Sequence, residues 1–253
     1  MQRPARHKMI IRAMTPRRTS VDALVDLTGA SPITIRRDLA DLEGHGLIKR
    51  VHGGAVAVER RGRRTMPYAL RATQDLERKE AIAAVAARLI DEDEAVVLDN
   101  GTTNDALARA LTGRSLTVLC MSLHAAVALG AHPATQVIVP GGLIAADTLS
   151  ATSAACIEAA RGIRADVAVL GAVAATARHG LTTTTWEDAQ IKREITRSAT
   201  RRILLADHEK LTRTASFRFA GLEDLDDLIT TRQSPADLLE EFRDAGVQVH
   251  LAD

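Results

Sequence analysis

With 253 residues, 46% of them hydrophobic and 26% charged, the chain has the composition of a folded protein with room for one large domain or two of unequal size, and not that of a disordered one. Aromatics are only 2%, which speaks against stacking single-stranded bases on aromatic platforms and leaves Ala, Val, Leu and Ile to build the core. The net charge of +1 conceals a division: residues 1–64 hold 14 Lys and Arg against 6 Asp and Glu, and the remainder 19 against 26. The asymmetry suggests a basic module that meets a polyanion, joined to an acidic domain with another task; a solvated charged arm is the bland alternative.

No apolar run approaches the roughly 18 residues of a membrane span, and the first twenty residues carry Arg and Lys with no apolar signal core, so a cytoplasmic protein is expected. Cys120 and Cys156 lie far apart, with no CxxC pair and no suitably spaced His. Neither a disulfide scaffold nor a structural metal is expected, and no cofactor.

In the basic segment, Met9, Ile10, Ala13 and Met14 recur at helical spacing, and Pro16 with Arg17, Arg18, Thr19 and Ser20 reads as a break. Ser20 can cap a second helix over Val21, Leu24, Val25 and Leu27, which Gly29 ends. Ser31 before Pro32 reads as the N-cap and first position of a third helix, stopped by Gly44 or Gly46. On it Ile35, Leu39 and Leu42 share one face, with Thr34 and Arg37 expected opposite and Arg36 on a flank. Leu47 to His52, then Gly53 and Gly54, then Ala55 to Val58 read as strand, Gly-Gly turn, strand.

Three short helices and a basic hairpin make a winged helix-turn-helix, in which the third helix enters the major groove with its N-terminal residues nearest the bases. Thr34, Arg36 and Arg37 are therefore candidates for reading bases or gripping phosphates, and Lys49, Arg50 and His52 for holding the flanking backbone. A small helical bundle with a solvated basic face is the competing reading. The stretch SPITIRRDLADLEGHGLIKRVHGGA, Ser31 to Ala55, resembles the signature of the DeoR family of bacterial transcriptional regulators, with its TIRRDL recognition helix and R-x-H-G-G-A wing. The resemblance implies that Ser31, Thr34, Arg36 and Arg37 are recognition-helix residues and Arg50 and His52 wing residues of a DNA-binding domain over 1–58.

Residues 59–74 lack apolar periodicity and read as a linker, a solvated connector in which Arg60, Arg61, Arg63 and Arg64 could add backbone contacts. From Asp75 to the end, helices alternate with short apolar strands. Helices are expected from Ile82 to Ile90, Asp105 to Leu111, Leu123 to Leu129, Ala151 to Ala160, Ala189 to Ser198 and Pro235 to Ala245. Strands are expected at 95–98, 116–121, 136–139, 167–170, 203–206, 228–230 and 247–251. The fold class is therefore α/β: an N-terminal winged helix-turn-helix followed by a larger α/β domain, 75–253, with a mainly parallel sheet.

Ligands of such sheets sit beyond the carboxyl ends of the strands. Asp99, Asn100, Gly101, Thr102 and Thr103 join the first strand to a helix and suit a phosphate, although a capped turn without ligand looks the same. Pro140, Gly141 and Gly142 follow the third strand, Gly171 the fourth, and Asp207 the fifth, with Lys210 three residues on; Lys192, taken as the start of a charged helix, could supply a counter-ion. Here too the chain is similar to the DeoR family: Lys79 to Ala83, Asp99 to Thr103, Val137 to Gly142, Asp166 to Gly171, Lys192 and Asp207 to Lys210 follow the family's sensor-domain motifs in order. The chain departs from the family at Cys120, Met121 and Ser122, where T-N-S is common, and in TSAACIEA, which lacks a usual glycine. The resemblance implies a sensor domain akin to ribose 5-phosphate isomerases that responds to phosphorylated sugars, with Asp166 and Asp207 among its site residues.

The first functional reading is thus a transcriptional repressor of a carbohydrate-metabolism operon that binds a double-stranded DNA operator under control of a small phosphorylated metabolite. It has no membrane partner and is a homodimer or homotetramer, since one helix-turn-helix reads only a half-site. The second is a sugar-phosphate isomerase or related transferase with a DNA-binding appendage, for which Asp99, Asp166, Asp207, Glu187 and Lys210 supply the residue types. His52 belongs to the wing, while His124, His132, His179, His208 and His250 are scattered without ligand spacing and read as surface or loop residues. Trp186, the only tryptophan, is placed in a TTTTWED loop, where it either covers a sugar or anchors the loop.

Overall fold

The computed structural model of the chain describes residues 3–14, 18–44, 47–57 and 68–253. They form two compact units, Met1–Gln74 and Asp75–Asp253. The expected break at Pro16 and Arg17, the alternative helix stop at Gly46, the wing's last residue Val58 and the linker arginines 60, 61, 63 and 64 lie outside the described residues.

The first unit runs α1 (Arg3–Ala13), β1 (Thr19–Ser20), α2 (Val21–Thr28), α3 (Pro32–Gly44), β2 (Ile48–Val51), β3 (Gly54–Ala57) and α4 (Tyr68–Thr73). Its helix boundaries follow from local chemistry. Ser20 Oγ accepts the Ala23 N–H at 3.2 Å, and Gly29, at φ +68°, turns its N–H onto the Val25 carbonyl at 2.8 Å. Ser31 Oγ accepts the Thr34 N–H at 3.2 Å, with Pro32 as the first residue of α3. Ile35, Leu39 and Leu42 are buried against Ile10, Leu24 and Ile48.

Two elements here were not legible. Thr19 and Ser20, read as part of a break, pair with Ala55 and Gly54 and give a sheet of order β1-β3-β2. A two-residue strand is too short to show a period. Gly54 consequently opens β3 and is not part of the turn: a Cβ there would stand 2.2 Å from the Thr19 carbonyl oxygen, so the approach of β1 demands glycine. Residues 68–73, assigned to the linker, form α4, whose Leu70 packs on the first unit's core.

The second unit begins with α5 (Leu76–Ala87), β4 (Ala95–Leu98), α6 (Thr102–Ala110), β5 (Leu116–Cys120), α7 (Leu123–Gly130) and β6 (Thr135–Ile138). It continues through the short β7 (Ile144–Ala145) and β8 (Ser150–Ala151) to α8 (Ala154–Gly162), β9 (Ala165–Gly171), β10 (Ala174–Thr176), β11 (Gly180–Thr183) and α9 (Trp186–Ser198). β12 (Ala199–Leu205), a 3₁₀ turn (His208–Lys210), β13 (Phe217–Ala220), β14 (Asp227–Thr231), α10 (Ala236–Asp244) and β15 (Gln248–Ala252) complete it. Seven strands form one parallel sheet in the order β15-β14-β12-β9-β4-β5-β6. Alternate side chains face opposite layers. Val96, Leu98, Val118, Val167 and Val169 meet the core of α5, α6 and α7, while Val97, Leu119, Ala168 and Leu170 meet that of α8, α9 and α10.

The chain leaves β4 toward β5 and β6, then returns to β9 on the other side of β4 and proceeds outward to β12, β14 and β15. The sheet therefore reverses direction between β4 and β9, and a crevice is expected at their carboxyl ends. All seven strands of this sheet were legible as apolar runs. The antiparallel sheet β10-β11-β13 was not, because its strands are three or four residues long and too short to show a period. Correspondingly, Ala151 belongs to β8 and not to a helix, Trp186 opens α9 where a loop was expected, and Lys192 sits in mid-helix. His250 lies on β15 and contacts Asp227 at 2.7 Å.

One charge fixes the helices of the first unit. Asp38, on the buried side of α3, is only 2% exposed. It accepts from Arg6 Nε at 2.5 Å and Nη2 at 3.1 Å, and His7 Nε2 lies 3.0 Å from its Oδ1. Burial pushes the Asp38 carboxyl up, but hydrogen bonds from Arg6 and His7 together with the Arg6 charge more than offset this and hold it below the usual carboxylate range. Its contribution to stability is therefore complete above about pH 4 and is lost as pH falls through the lower folded value. We expect Asp38→Ala to remove the buried carboxylate that Arg6 and His7 share and to cost on the order of 3 kcal/mol. Hydrogen exchange of the α1 and α3 amides in the full chain should show this, and an acid-induced loss of protection as steep in the variant as in the native chain would refute the assignment.

Candidate functional site

In the first unit the outward side of α3 is set by helical geometry. Ile35, Asp38, Leu39 and Leu42 are buried, so the stripe diametrically opposite is Ile33, Arg37, Ala40 and Gly44, all exposed, with exposed Arg36 beside it. Arg37 lies where the sequence put it. Thr34 does not: it is half-buried, and its hydroxyl is within 2.9 Å of Ser31 Oγ, so Ser31 and Thr34 chiefly cap the helix. Lys49, Arg50 and His52 are exposed on the wing. Glu43 at the end of α3 accepts the Arg50 N–H at 2.8 Å, and Arg18 donates to the His52 carbonyl at 3.1 Å, which ties the hairpin to the helix and to β1. Ile33 was missed because an isolated apolar residue beside a proline carries no periodic signal.

In the second unit the carboxyl ends of β4 and β9 meet at one side chain. Asp99, fully buried, accepts the Asn100 N–H on Oδ1 at 2.8 Å and the Gly171 N–H on Oδ2 at 2.8 Å, and forms an ion pair with Lys192 of α9. A Cβ at Gly171 would lie 2.9 Å from the Asn100 carbonyl, so glycine is required where the two strand ends close. Asp188, one turn before Lys192, lies 3.7 Å from its Nζ and accepts from Asn100 Nδ2 at 3.2 Å and from the Thr183 hydroxyl. Burial raises the Asp99 carboxyl above its ordinary range, the Lys192 charge pulls it back and the Asp188 charge raises it again. Burial also lowers Lys192, but the Asp188 and Asp99 charges outweigh it and hold the ammonium above its usual value. Two carboxyl groups and one ammonium thus meet in a single cluster beneath the sheet's carboxyl end. Lys192 is committed to this cluster and is not a spare counter-ion.

Above the cluster, Gly101 at φ +137° leads into α6 with no side-chain cap, and Thr102, Thr103 and Asn104 in the first turn are all buried. The first N–H groups of a helix have no intrahelical acceptor. Asn104 Nδ2 donates to the Asp99 carbonyl at 2.9 Å, whereas its Oδ1 is buried with no hydrogen-bond partner. Ser122, in the stretch that departs from T-N-S, donates to Asp105 at 2.8 Å and caps α7.

The structure thus brings together Asp99, Asn100, Gly101, Thr102, Thr103, Gly171 and Lys192. Asp207 follows β12, the strand beside β9, and its Oδ1 accepts the Lys210 N–H at 3.2 Å. Gly141 and Gly142 lie at the same end of the sheet but two strands from β4, roughly 10 Å away. There Gly142 packs on Ser153, whose hydroxyl donates to the Gly141 carbonyl at 3.1 Å. Asp166 is not part of the cluster. It stands near the amino end of β9, about 16 Å along the strand from Gly171, and accepts the Ala95 N–H at 2.8 Å. The residues missed were Asp188, Thr183 and Asn104. The acid-base pair Asp188 and Lys192 at i, i+4 was the readable signal for the first. Among the described residues no group of His, Cys, Asp and Glu is arranged to hold a metal ion, and no helix is long and apolar enough to cross a membrane. The Cys120 thiol is pushed up to about 12, by burial first and then by the Asp105 charge.

Replacing Lys192 by Met would leave Asp99 buried without its cation, and a loss of about 3–5 kcal/mol is expected. The double variant Asp99→Asn/Lys192→Met should recover a substantial part of this in chemical denaturation. Equal stability of the single and double variants would show that the pair is uncoupled.

Two family models match the chain: the DeoR-like helix-turn-helix domain over residues 6–61 and the DeoR C terminal sensor domain over 74–232. Among curated proteins, the HTH-type transcriptional regulator GlpR of Haloferax volcanii is 36% identical, across 91% of this chain and 90% of its own. The HTH-type transcriptional regulator GolR of Listeria innocua is 32% identical across 92% of each, and the glycerol-3-phosphate regulon repressor of Haemophilus influenzae 32% across 91% and 90%. Among solved structures, ribose 5-phosphate isomerase A of Methanocaldococcus jannaschii is similar over 55% of this chain and 56% of its own, at 14% identity and a TM-score of 0.41, a likeness too distant to bear on function. With both models matched in order and relatives aligned nearly end to end, the chain belongs to the DeoR family of helix-turn-helix transcriptional regulators.

Proposed function

We propose that the protein is a repressor of a carbohydrate-metabolism operon whose grip on double-stranded DNA is controlled by a phosphorylated sugar or related metabolite bound in the second unit. In the first unit, Arg36 and Arg37 of α3 read or grip the major groove, while Lys49, Arg50 and His52 of the wing hold flanking phosphates. One such unit covers a half-site, so the working form is a homodimer or homotetramer.

The observation that carries the effector assignment is the uncapped N-terminus of α6 at the switch point, next to a buried acceptor without a donor, Asn104 Oδ1. Helix N–H groups suit a phosphate, and an orphan carbonyl-type oxygen suits a hydroxyl. Both demands are met by one class of compound, a hydroxylated phosphate ester. Asn100, Gly101, Thr102 and Thr103 form the cradle. Asp99, Gly171 and Lys192 hold it in shape, and Asp207, Lys210, Gly141 and Gly142 border it at the same end of the sheet. The name of the Haemophilus relative, a glycerol-3-phosphate regulon repressor, supports a phosphate ester as the class. A ligand shifts DNA affinity only by its differential affinity for two arrangements of the protein, so it must bind the DNA-bound and released forms unequally.

In a thermal-shift screen of sugar and polyol phosphates against the full chain, at least one compound should raise the melting temperature, and Thr102→Ala should weaken its binding about tenfold. No shift with any member of the panel would sink the effector assignment, and conversion of ribose 5-phosphate to a ketose would replace it with an enzymatic one.

For DNA, Arg37→Ala should cost about 1–3 kcal/mol and relax sequence preference, whereas Lys49→Ala should weaken all duplexes alike and flatten the salt dependence. Unchanged binding by the Arg37 variant would take that side chain out of the groove.

A further inference from the structure

The exposed face of α3 carries one large apolar side chain. Ile33 is 71% exposed, in the first turn of the helix and on the stripe directly opposite Ile35, Asp38, Leu39 and Leu42. One turn on is Arg37, and beyond it the stripe is small, Ala40 and then Gly44. Leu27 is the other large hydrophobic exposed among the described residues of this unit, and it lies on α2. Ile33 contributes nothing to the core, whose members on α3 all face the other way.

In a helix-turn-helix the N-terminal residues of the recognition helix lie deepest in the major groove. A branched apolar side chain there can make no hydrogen bond. The only apolar group that a base pair offers in the major groove is the C5-methyl of thymine. Small residues farther along the same stripe let the helix lie close without raising its N-terminal turn off the base edges. From this placement we infer that Ile33 is a specificity-determining residue that selects thymine at one position of each half-site by packing on its methyl group, while Arg37 supplies the polar contact beside it.

The inference rests on the DNA-binding reading above, and the test separates the two. The full chain is used to select duplexes from a random pool, and each thymine of the selected site is replaced in turn by uracil, which lacks only the methyl. At one thymine per half-site the native chain should lose about fourfold in affinity, the value of one buried methyl-sized group. Ile33→Ser should bind the thymine and uracil duplexes equally, and Ile33→Val should keep most of the preference. Because Ile33 is exposed, the melting temperature of Ile33→Ser should match that of the native chain, so that any loss reads as a lost contact. Equal binding of thymine and uracil at every position by the native chain, a selected site without a required thymine, or a full methyl preference retained by Ile33→Ser each overturns the role of Ile33 while leaving DNA binding intact. Failure to retrieve any duplex overturns the DNA-binding reading, and Ile33 with it.

Discussion

The second unit is organised around one buried charge. Asp99 ends the first strand of the sheet, and moving its carboxylate out of water would be prohibitive without compensation. Compensation comes from three directions: the Asn100 N–H beside it, the Gly171 N–H at the end of the neighbouring strand and the Lys192 ammonium from α9. The carboxylate therefore draws the ends of β4 and β9 and one helix onto a single point, where the topology of the sheet reverses. The cradle above it inherits this rigidity. Asn100 is fixed at both its N–H and its side chain, and Asn104 is fastened to the Asp99 carbonyl.

The charge balance of that cluster limits how a phosphate can be held. With Asp188 within 4 Å of Lys192 and Asp99 in direct contact with it, the ammonium is engaged on two sides by carboxyl groups. What the cradle itself offers a dianion is the oriented N–H groups and hydroxyls of α6, which bind through direction and not through net charge. Such a site discriminates by shape and hydrogen-bonding pattern.

The sequence was informative wherever a residue type has one local meaning. Ser20, Gly29 and the Ser31-Pro32 pair marked helix ends because each solves a backbone problem at its own position, and β4, β5, β9 and β12 announced themselves as apolar runs buried on both faces. Elements defined by a distant partner were silent. β1 exists through its pairing with β3, and β10, β11 and β13 pair among themselves with too few residues to set a period. The site divided in the same way. The loop Asp99 to Thr103 was readable as strand, glycine, hydroxyls, helix, but the roles of Asp188 and Thr183 depend on α9 and β11 being brought beside it. Asp166 shows the opposite error: it shares a strand with Gly171, yet a strand has two ends and the motif does not say which end carries the ligand.

The two units, different in architecture, fix their reading surfaces by the same physical device. In the first, Asp38 is buried beneath α3 and secured by Arg6 and His7 of α1; its sequence neighbours Arg36 and Arg37 stand on the exposed side. In the second, Asp99 is buried beneath the cradle and secured by Lys192; its neighbours Asn100 to Thr103 form the cradle itself. In each case an acidic residue that gives the ligand nothing directly removes rotational and translational freedom from the residues next to it in the chain. Ordering those residues before the ligand arrives lowers the entropic cost of binding. A buried ion pair adds little net stability over an apolar substitute, whereas it specifies one arrangement against others, since only one register of α3 on α1, or of β9 on β4, satisfies every bond the carboxylate makes. On that argument these two aspartates contribute to recognition by the uniqueness of the geometry they impose, and replacing each one together with its cationic partner by apolar residues of similar size preserves a folded chain while blurring what it recognises.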